Sequence, residues 1–271
     1  MPEPASGHPA FVTEKSVRAI SPGKTKRRCR HMKIIDAFWE ERNLGIKSVE
    51  FVVESGDAET VIADILKAEA RYNVAKLPVN KPKLTALLQE NGYRFIECLL
   101  NFSHDLSKEK IAAAKLLSNA GVTYAPANKA DLAEIFAEID KELFNTDRIY
   151  NDAQFKKELA AIRYKNWIND ELSRGAIVYE LIFQGESIGF FALQKMRNDI
   201  FDPFLLGLFN AYKGKGFGRS MAFNALSESA LLGARGISTH ISSNNPVNIK
   251  VYKSLGYDVS GVKYVFIKHN K

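Results

Sequence analysis

The chain has 271 residues, of which 46% are hydrophobic and 25% are charged, and its formal net charge is +7. This composition is typical of a soluble globular protein, and the length allows one large domain or two small ones. No apolar run approaches the roughly 18 residues of a membrane span, and the N-terminus lacks a signal-peptide core. Two cysteines, Cys29 and Cys98, are too few for a disulfide framework or a metal site. We therefore predict a cytoplasmic protein that does not span a membrane.

The positive charge is concentrated at the N-terminus, because residues 1 to 31 contain seven Lys/Arg and only two Glu. A short basic stretch of this kind is usually a solvated, unstructured tail. We predict a disordered tail over residues 1 to 31, lying before a plausible native start at Met32. A nucleic-acid role for the tail, based on Lys24 to Arg28, is the weaker alternative.

Hydrophobic periodicity predicts strands and helices in two modules. The first module, 32–106, has predicted strands at 49–53, 72–77 and 94–102 and predicted helices at 58–70 and 83–89. A helical connector leads to the second module, 123–271. Its predicted helices are 129–144, 155–173, 220–232 and 247–254, and its predicted strands are 204–209, 237–242 and 262–268, with a hairpin of 176–183 and 186–195. This mixture predicts an α/β protein.

The two modules share a short pattern. Asn80-Lys81-Pro82 leads through a predicted helix to Gly92-Tyr93, and Asn244-Asn245-Pro246 leads through a helix of equal length to Gly256-Tyr257. We interpret the first module as a partial copy of the second that lacks a glycine loop and has Leu88 where the second has Tyr252. The alternative is coincidence, since helix–Gly–Tyr–strand is a common unit.

A glycine-rich loop, residues 212 to 219, reads Tyr-Lys-Gly-Lys-Gly-Phe-Gly-Arg between a predicted strand and a predicted helix. Glycines let a ligand approach the backbone closely, and a helix N-terminus attracts anions. The spacing matches neither the dinucleotide fingerprint nor the P-loop. The loop therefore predicts a phosphate-binding site of another kind, and a tight turn without a ligand is the alternative.

The loop, followed by Asn245 to Tyr252 and then Leu255-Gly256-Tyr257, resembles the acetyl-CoA loop and the C-terminal helix of the GNAT superfamily of N-acyltransferases. The resemblance implies a GNAT fold with a mixed, mostly antiparallel sheet, preceded by a smaller partial GNAT-like module. It also implies acetyl-CoA, or another short acyl-CoA, as the acyl donor. The cofactor-binding residues that it implies are Leu206, Leu208, Lys213, Gly214, Lys215, Gly216, Phe217, Gly218, Arg219 and Asn245.

Tyr252 lies seven residues after Asn245, which is the superfamily's spacing for the acid that protonates the departing thiolate. The resemblance therefore implies a catalytic role for Tyr252. A tyrosine on a helix is more often an amphipathic core residue, and that interpretation stays open. Glu180 and His240 are titratable but lie within predicted strands, so we assign no general base.

The acceptor side is less specific. Residues 144 to 152 and the segment Tyr164 to Ile168 resemble the nucleotide-aminosugar branch of the superfamily, the dTDP-fucosamine acetyltransferase-like enzymes. This resemblance implies that Arg148 binds a diphosphate and that Tyr150 and Asp152 bind a sugar. The alternative is a loop in which Asp147 or Asp152 caps the following helix.

The predicted function is acetyl-CoA-dependent N-acetylation of a nucleotide-linked aminodeoxysugar, with the amine attacking the thioester directly. One alternative acceptor is a protein, polyamine or antibiotic amine, although the sequence shows no acidic cluster that would favour a polyamine. A non-catalytic acyl-CoA sensor is a further alternative. The sequence is compatible with a homodimer but does not establish one.

Overall fold

The computed structural model describes residues 28–29 and 31–271. These residues form two compact units. The N-terminal unit contains the described residues up to Leu100 together with 262–271, and the C-terminal unit contains 101–261. This division differs from the predicted modules, because the last strand's final residues belong to the N-terminal unit.

The N-terminal unit contains three helices and strands from both ends of the described chain. The strands are β1 Arg28–Cys29, β2 Met32–Asp36, β3 Ser48–Val53, β4 Tyr72–Pro78 and β5 Arg94–His104, and the helices are α1 Phe38–Leu44, α2 Ala58–Ile65 and α3 Pro82–Glu90. The last four residues of β5 belong to the C-terminal unit. The strand order is β1-β2-β3-β4-β11-β5, where β11 is Asp258–His269. Strands β3 and β4 are parallel, whereas β4 and β11 are antiparallel. Phe51, Leu84 and Phe266 lie in the core that α2 and α3 cover.

The basic tail predicted over residues 1 to 31 falls mostly outside the described residues. Its described part is ordered, because Arg28–Cys29 forms β1 and pairs with β2. The His31 imidazole lies 3.1 Å from a carboxylate oxygen of Asp64. The unstructured tail was therefore predicted too long at its C-terminal end.

The C-terminal unit contains the remaining elements. Its helices are α4 Lys108–Leu116, α5 Lys129–Asp140, α6 Glu158–Leu172, α7 Gly218–Leu231 and α8 Pro246–Ser254, and its further strands are β6 Val122–Pro126, β7 Ile177–Phe183, β8 Glu186–Lys195, β9 Ile200–Leu208 and β10 Gly236–Ser242. The strand order is β5-β10-β9-β8-β7-β6. Strands β6 to β9 are antiparallel neighbours and β9–β10 is parallel. The sheet is therefore mixed and mostly antiparallel, as predicted.

The hairpin of β7 and β8 turns at Gln184 and Gly185, whose φ angles are 54° and 82°. Two consecutive left-handed residues form the turn that matches the twist of a two-stranded ribbon. One face of the sheet packs against α5 and α6 through Trp167, Phe190 and Phe204. On the opposite face, strand side chains such as Leu181 and Phe191 form a second core cluster with Phe217 and Met221 at the start of α7.

The repeated sequence pattern has the same local structure in both units. Helices α3 and α8 each have nine residues with proline in the first turn. Gly92 and Gly256 follow them with φ angles of 80° and 84°. Tyr93 N donates to Leu88 O, as Tyr257 N donates to Tyr252 O. This match supports the interpretation of the N-terminal unit as a partial copy.

No helix within residues 28–29 and 31–271 combines the length and the apolar character that crossing a membrane requires.

Candidate active site

The parallel strands β9 and β10 separate toward their carboxyl ends. In the described strands, β9 and β10 pair only at their first two residues, Ile200 with Gly236 and Phe201 with Ile237. Pro203 follows this paired region, and proline has no N–H to donate to a neighbouring strand. The Thr239 hydroxyl donates instead to the Pro203 carbonyl at 3.2 Å.

A cavity of about 670 Å³ lies at the carboxyl ends of these strands. Four segments of the C-terminal unit line it: residues 143–146, residues 206–208 of β9, the glycine loop with the start of α7, and residues 244–248 with Val251 of α8. A cavity of this size is within the usual range for small-molecule sites.

The glycine loop presents open backbone to the cavity. Gly214 and Gly216 have φ angles of 77° and 89°, and a Cβ at either position would meet no atom within 4 Å. Helix α7 begins at Gly218, with no acidic residue in its first turn and no side-chain cap at Phe217. The first N–H groups of α7 therefore have no side-chain acceptor from this turn or from the cap position. Such a helix N-terminus is suited to binding an anion. Arg219 adds a cation to the same wall.

Helix α8 forms the opposite wall, and its start is fixed by its own sequence. The Asn245 side chain accepts a hydrogen bond from Asn248 N at 3.1 Å, and Pro246 follows at the first helical position. Both features are favourable at a helix N-terminus. The cap therefore places Asn245 and Asn248 against the cavity.

Tyr252 lies one helical turn after Asn248 on the same face of α8, but its side chain is not part of the cavity lining. The ring is 3% exposed and packs between Phe102 and Tyr257, with centroid separations of 5.8 Å and 4.7 Å. Burial, and then the Asp202 carboxylate, raise the pKa of Tyr252 above its usual value. The phenol therefore stays protonated at neutral pH, which a proton donor requires.

Solved structures share this architecture. A conserved protein of unknown function from Staphylococcus epidermidis matches with a TM-score of 0.66 and 13% identity, over 91% of this chain and 94% of that one. A GCN5-related N-acetyltransferase from Sphaerobacter thermophilus matches with a TM-score of 0.57 and 11% identity, over 88% and 76%. A tandem GNAT protein from the clavulanic acid biosynthesis pathway matches with a TM-score of 0.50 and 14% identity, over 82% and 75%.

The chain has the GNAT fold. The fold predicted from the glycine loop and the C-terminal helix is thereby confirmed. Identities of 11–14% show the fold but not the substrate. Searches of protein-family models and of curated protein sequences gave no match.

Eight of the ten residues predicted to bind the cofactor line the cavity of this GNAT fold. They are Leu206, Leu208, Lys213, Gly214, Gly216, Gly218, Arg219 and Asn245. Lys215 and Phe217 do not line it. The Lys215 ammonium lies 5.2 Å from the centre of the Tyr212 ring, and Phe217 packs against Phe183 at 4.9 Å.

The structure does not bring the three predicted acceptor-binding residues to this cavity. Arg148 and Asp152 are buried, with 4% and 2% exposure, and Asp152 accepts a hydrogen bond from Gln154 N at 3.1 Å. Tyr150 lines a smaller cavity instead, where its hydroxyl donates to Glu142 at 2.7 Å. Asp152 therefore stabilises its own loop, and Arg148 is buried away from the cavity lining.

Asp147 also stabilises that loop. It accepts a hydrogen bond from Tyr150 N at 2.8 Å, and the Arg163 guanidinium lies 3.1 Å from its other carboxylate oxygen. The residue before α6 is Lys157, and it makes no side-chain cap. The alternative prediction that Asp147 or Asp152 caps α6 is therefore wrong.

A smaller cavity of about 140 Å³ shares Phe144 with the large one. Three carboxylates, Asp140, Glu142 and Glu158, line it together with Lys157. This acidic group was not predicted, because its members come from the end of α5, the loop after it and the start of α6. The same loop supplies residues 143–146 of the large cavity, of which 144–146 belong to the segment assigned to the acceptor side from the sequence.

Two acidic side chains are buried in the same unit. Burial raises the pKa of Asp202 and of Glu171 to about 7 in each case. Among the described residues, Oδ1 of Asp202 has no hydrogen-bond partner.

Trp167 packs at 5.2 Å from Phe204 and is buried, so it is a core residue.

Proposed function

We propose that this protein is an acetyl-CoA-dependent N-acetyltransferase. The observation that carries the proposal is the large cavity, where the uncapped N-terminus of α7 and two left-handed glycines meet the separated ends of β9 and β10. The GNAT fold supports the same assignment. In this chain the fold brings residues 206–208 of β9 and the start of α7 together in one cavity.

The glycine loop accounts for recognition of the donor. Backbone N–H groups near Gly216 and Gly218 would bind the CoA diphosphate, and the α7 dipole and Arg219 would favour its negative charge. Residues 206–208 line the cavity with this loop, and their backbone would bind the pantetheine arm. These interactions need no metal ion or covalent intermediate.

The chemical step follows from the donor. The acceptor amine attacks the thioester carbonyl, a C–N bond forms and the C–S bond breaks. The amine loses a proton and the departing thiolate gains one. We assign that second proton to Tyr252, which is kept protonated by burial and by Asp202. Because Tyr252 does not line the cavity, this assignment depends on its hydroxyl reaching the sulfur when the substrates are bound.

The geometry favours a cationic amine as the acceptor. Three carboxylates and Lys157 line the small cavity, Lys165 pairs with Asp140 at 2.6 Å, and Phe144 belongs to both cavities. Glu142 and Glu158, which are not paired with Lys165, would attract a second ammonium group of the acceptor. Polyamines and aminoglycoside-type antibiotics have this chemistry.

A nucleotide-linked aminosugar is the second candidate acceptor. It rests on the resemblance of residues 144–152 and 164–168 to the nucleotide-aminosugar branch. The burial of Arg148 weighs against it, because that guanidinium was the predicted partner of the diphosphate.

The test is thiol release from acetyl-CoA with a panel of polyamines, aminoglycosides, peptides and nucleotide-linked aminosugars. We expect turnover with cationic amines, and a roughly tenfold higher KM for the amine in Glu142→Gln. Glu134→Gln is the matched control, since Glu134 is an exposed residue of α5 outside the lining of both cavities. Turnover with an aminosugar alone would select the second candidate. Binding of acetyl-CoA without turnover on any amine would contradict the enzymatic proposal.

A further inference from the structure

Two side chains just before the first loop glycine hold the backbone of residues 141–146, which we call the acceptor loop. Asn210 Nδ2 donates to the Lys141 carbonyl at 2.8 Å. Lys213 Nζ donates to the Leu143 carbonyl at 2.8 Å. Asn210 and Lys213 lie in and directly after one short 3-10 turn, Asn210–Tyr212. A single turn therefore holds the acceptor loop at two points.

The residue between the two held carbonyls has an unfavourable backbone conformation. Glu142 has a φ angle of 58°, in the left-handed region that non-glycine residues seldom adopt. Such a conformation persists only where neighbouring contacts enforce it. The two hydrogen bonds on either side of Glu142 are contacts of that kind.

The next residues of the acceptor loop pack closely on β9. A Cβ added to Gly207 would lie 2.9 Å from Leu143 Cδ2 and 3.1 Å from Phe144 Cζ. The Ser242 hydroxyl reaches the Thr146 carbonyl at 3.5 Å, near the end of the loop. Leu143 to Thr146 all line the large cavity, so the position of the loop shapes that wall.

The Lys213 ammonium makes its hydrogen bond to a neutral carbonyl. Although much of the residue is exposed, burial of the ammonium lowers the pKa of Lys213, and Glu138 opposes this shift. In the proposed function, backbone N–H groups and Arg219 bind the phosphate, so Lys213 can keep its hydrogen bond to the Leu143 carbonyl. Lys213 and Asn210 can therefore both hold the acceptor loop while the donor is bound.

We propose that Lys213 is a positioning residue that, together with Asn210, fixes the acceptor loop as the wall against which the acceptor amine binds. This role rests on the proposed function for the identity of the ligand. It differs from the role that the family resemblance implies, which is to bind the cofactor. The two roles predict different phenotypes, because Asn210 does not line the cavity and cannot bind the diphosphate.

The test compares Lys213→Met and Asn210→Ala in the full chain by three measurements: hydrogen–deuterium exchange of residues 141–146, the Kd of acetyl-CoA by calorimetry, and the KM of the best amine. We expect exchange of the acceptor loop to rise about tenfold or more in both variants. We expect the amine KM to rise several-fold in both, with the acetyl-CoA Kd within about threefold of the wild type. Lys215→Met is the control for exchange, since that ammonium lies over Tyr212.

Two results would overturn the proposal. One is unchanged exchange of residues 141–146 in both variants. The other is a tenfold weaker acetyl-CoA affinity in Lys213→Met with no effect of Asn210→Ala, which would make Lys213 a phosphate ligand. If wild-type protein does not bind acetyl-CoA, the proposed function fails, and exchange alone still decides whether the two side chains hold the loop.

Discussion

Gly216→Ala separates the folding cost of a side chain in the glycine loop from its effect on ligand binding. Gly216 has a φ angle of 89°, and an added Cβ would meet no atom within 4 Å. The folding cost is therefore the left-handed backbone alone, about 1 kcal/mol. In a chain of this size such a loss lowers Tm by roughly 2–4 °C.

The effect on acetyl-CoA affinity should be larger. A methyl group at Gly216 would point into open space where we place the diphosphate, and would keep the phosphate away from the backbone N–H. Loss of one hydrogen bond to a charged group costs about 1.5–3 kcal/mol, or roughly a ten- to hundredfold increase in Kd. Calorimetric titration with acetyl-CoA measures this increase directly.

Gly175→Ala is the matched control. Gly175 also has a φ angle of 89° and open space around its Cβ position, but it lies between α6 and β7, outside the cavity lining. Both variants should lose the same stability, and only Gly216→Ala should lose affinity. Equal acetyl-CoA affinities in the two variants would refute the assignment of the glycine loop as the phosphate site.

Three further predictions concern buried groups. Tyr252→Phe should lower kcat by about ten- to a thousandfold with little change in acetyl-CoA Kd, and equal steady-state rates would remove Tyr252 from the mechanism. Lys76→Met should reduce the free energy of unfolding by about 3–5 kcal/mol, because Glu50 then lacks the ammonium that lies 2.6 Å away. The double change with Glu50→Leu should restore most of the lost stability in denaturant titrations. The pKa of Asp202 is raised from 3.8 to about 7, so the native state binds a proton that the unfolded state releases, and stability should fall as pH rises from about 4 to about 7. Asp202→Asn should flatten that slope, and an unchanged slope in thermal melts across this range would contradict the burial argument.

Locally determined features of the fold could be predicted from the sequence. The glycine loop is one example, because strand, glycines and helix follow one another within the chain. The hairpin at Gln184-Gly185 is another, since the turn residues specify its conformation. The correspondence of Leu88 with Tyr252 also follows from a sequence pattern, and both side chains are buried in equivalent backbone settings.

Features that depend on distant pairing could not be predicted in this way. Residues 262–268 were predicted as a strand of the second module, but they belong to β11, which pairs with β4 of the N-terminal unit. The sequence pattern of a strand specifies which face is buried but not which strand is its neighbour. The short elements β2 and α1 were also not predicted, since five and seven residues give too little periodicity.

The acceptor side shows the same limit. The resemblance to the nucleotide-aminosugar branch implied that Arg148 binds a diphosphate, but tertiary packing buries it. The acidic lining of the small cavity combines Asp140, Glu142 and Glu158, which are separated by up to 18 positions in the chain. The separation of β9 from β10 likewise depends on pairing, although Pro203 is a local indication of where it begins.

The measurement that tests the central claim most directly is a crystal structure of the protein with acetyl-CoA bound. Our account predicts the diphosphate at the backbone N–H groups of Gly216 and Gly218, and the pantetheine arm alongside residues 206–208 of β9. It also predicts that the thioester lies toward Tyr252. A nucleotide bound outside the large cavity, or a protein that does not bind acetyl-CoA at millimolar concentration, would contradict it.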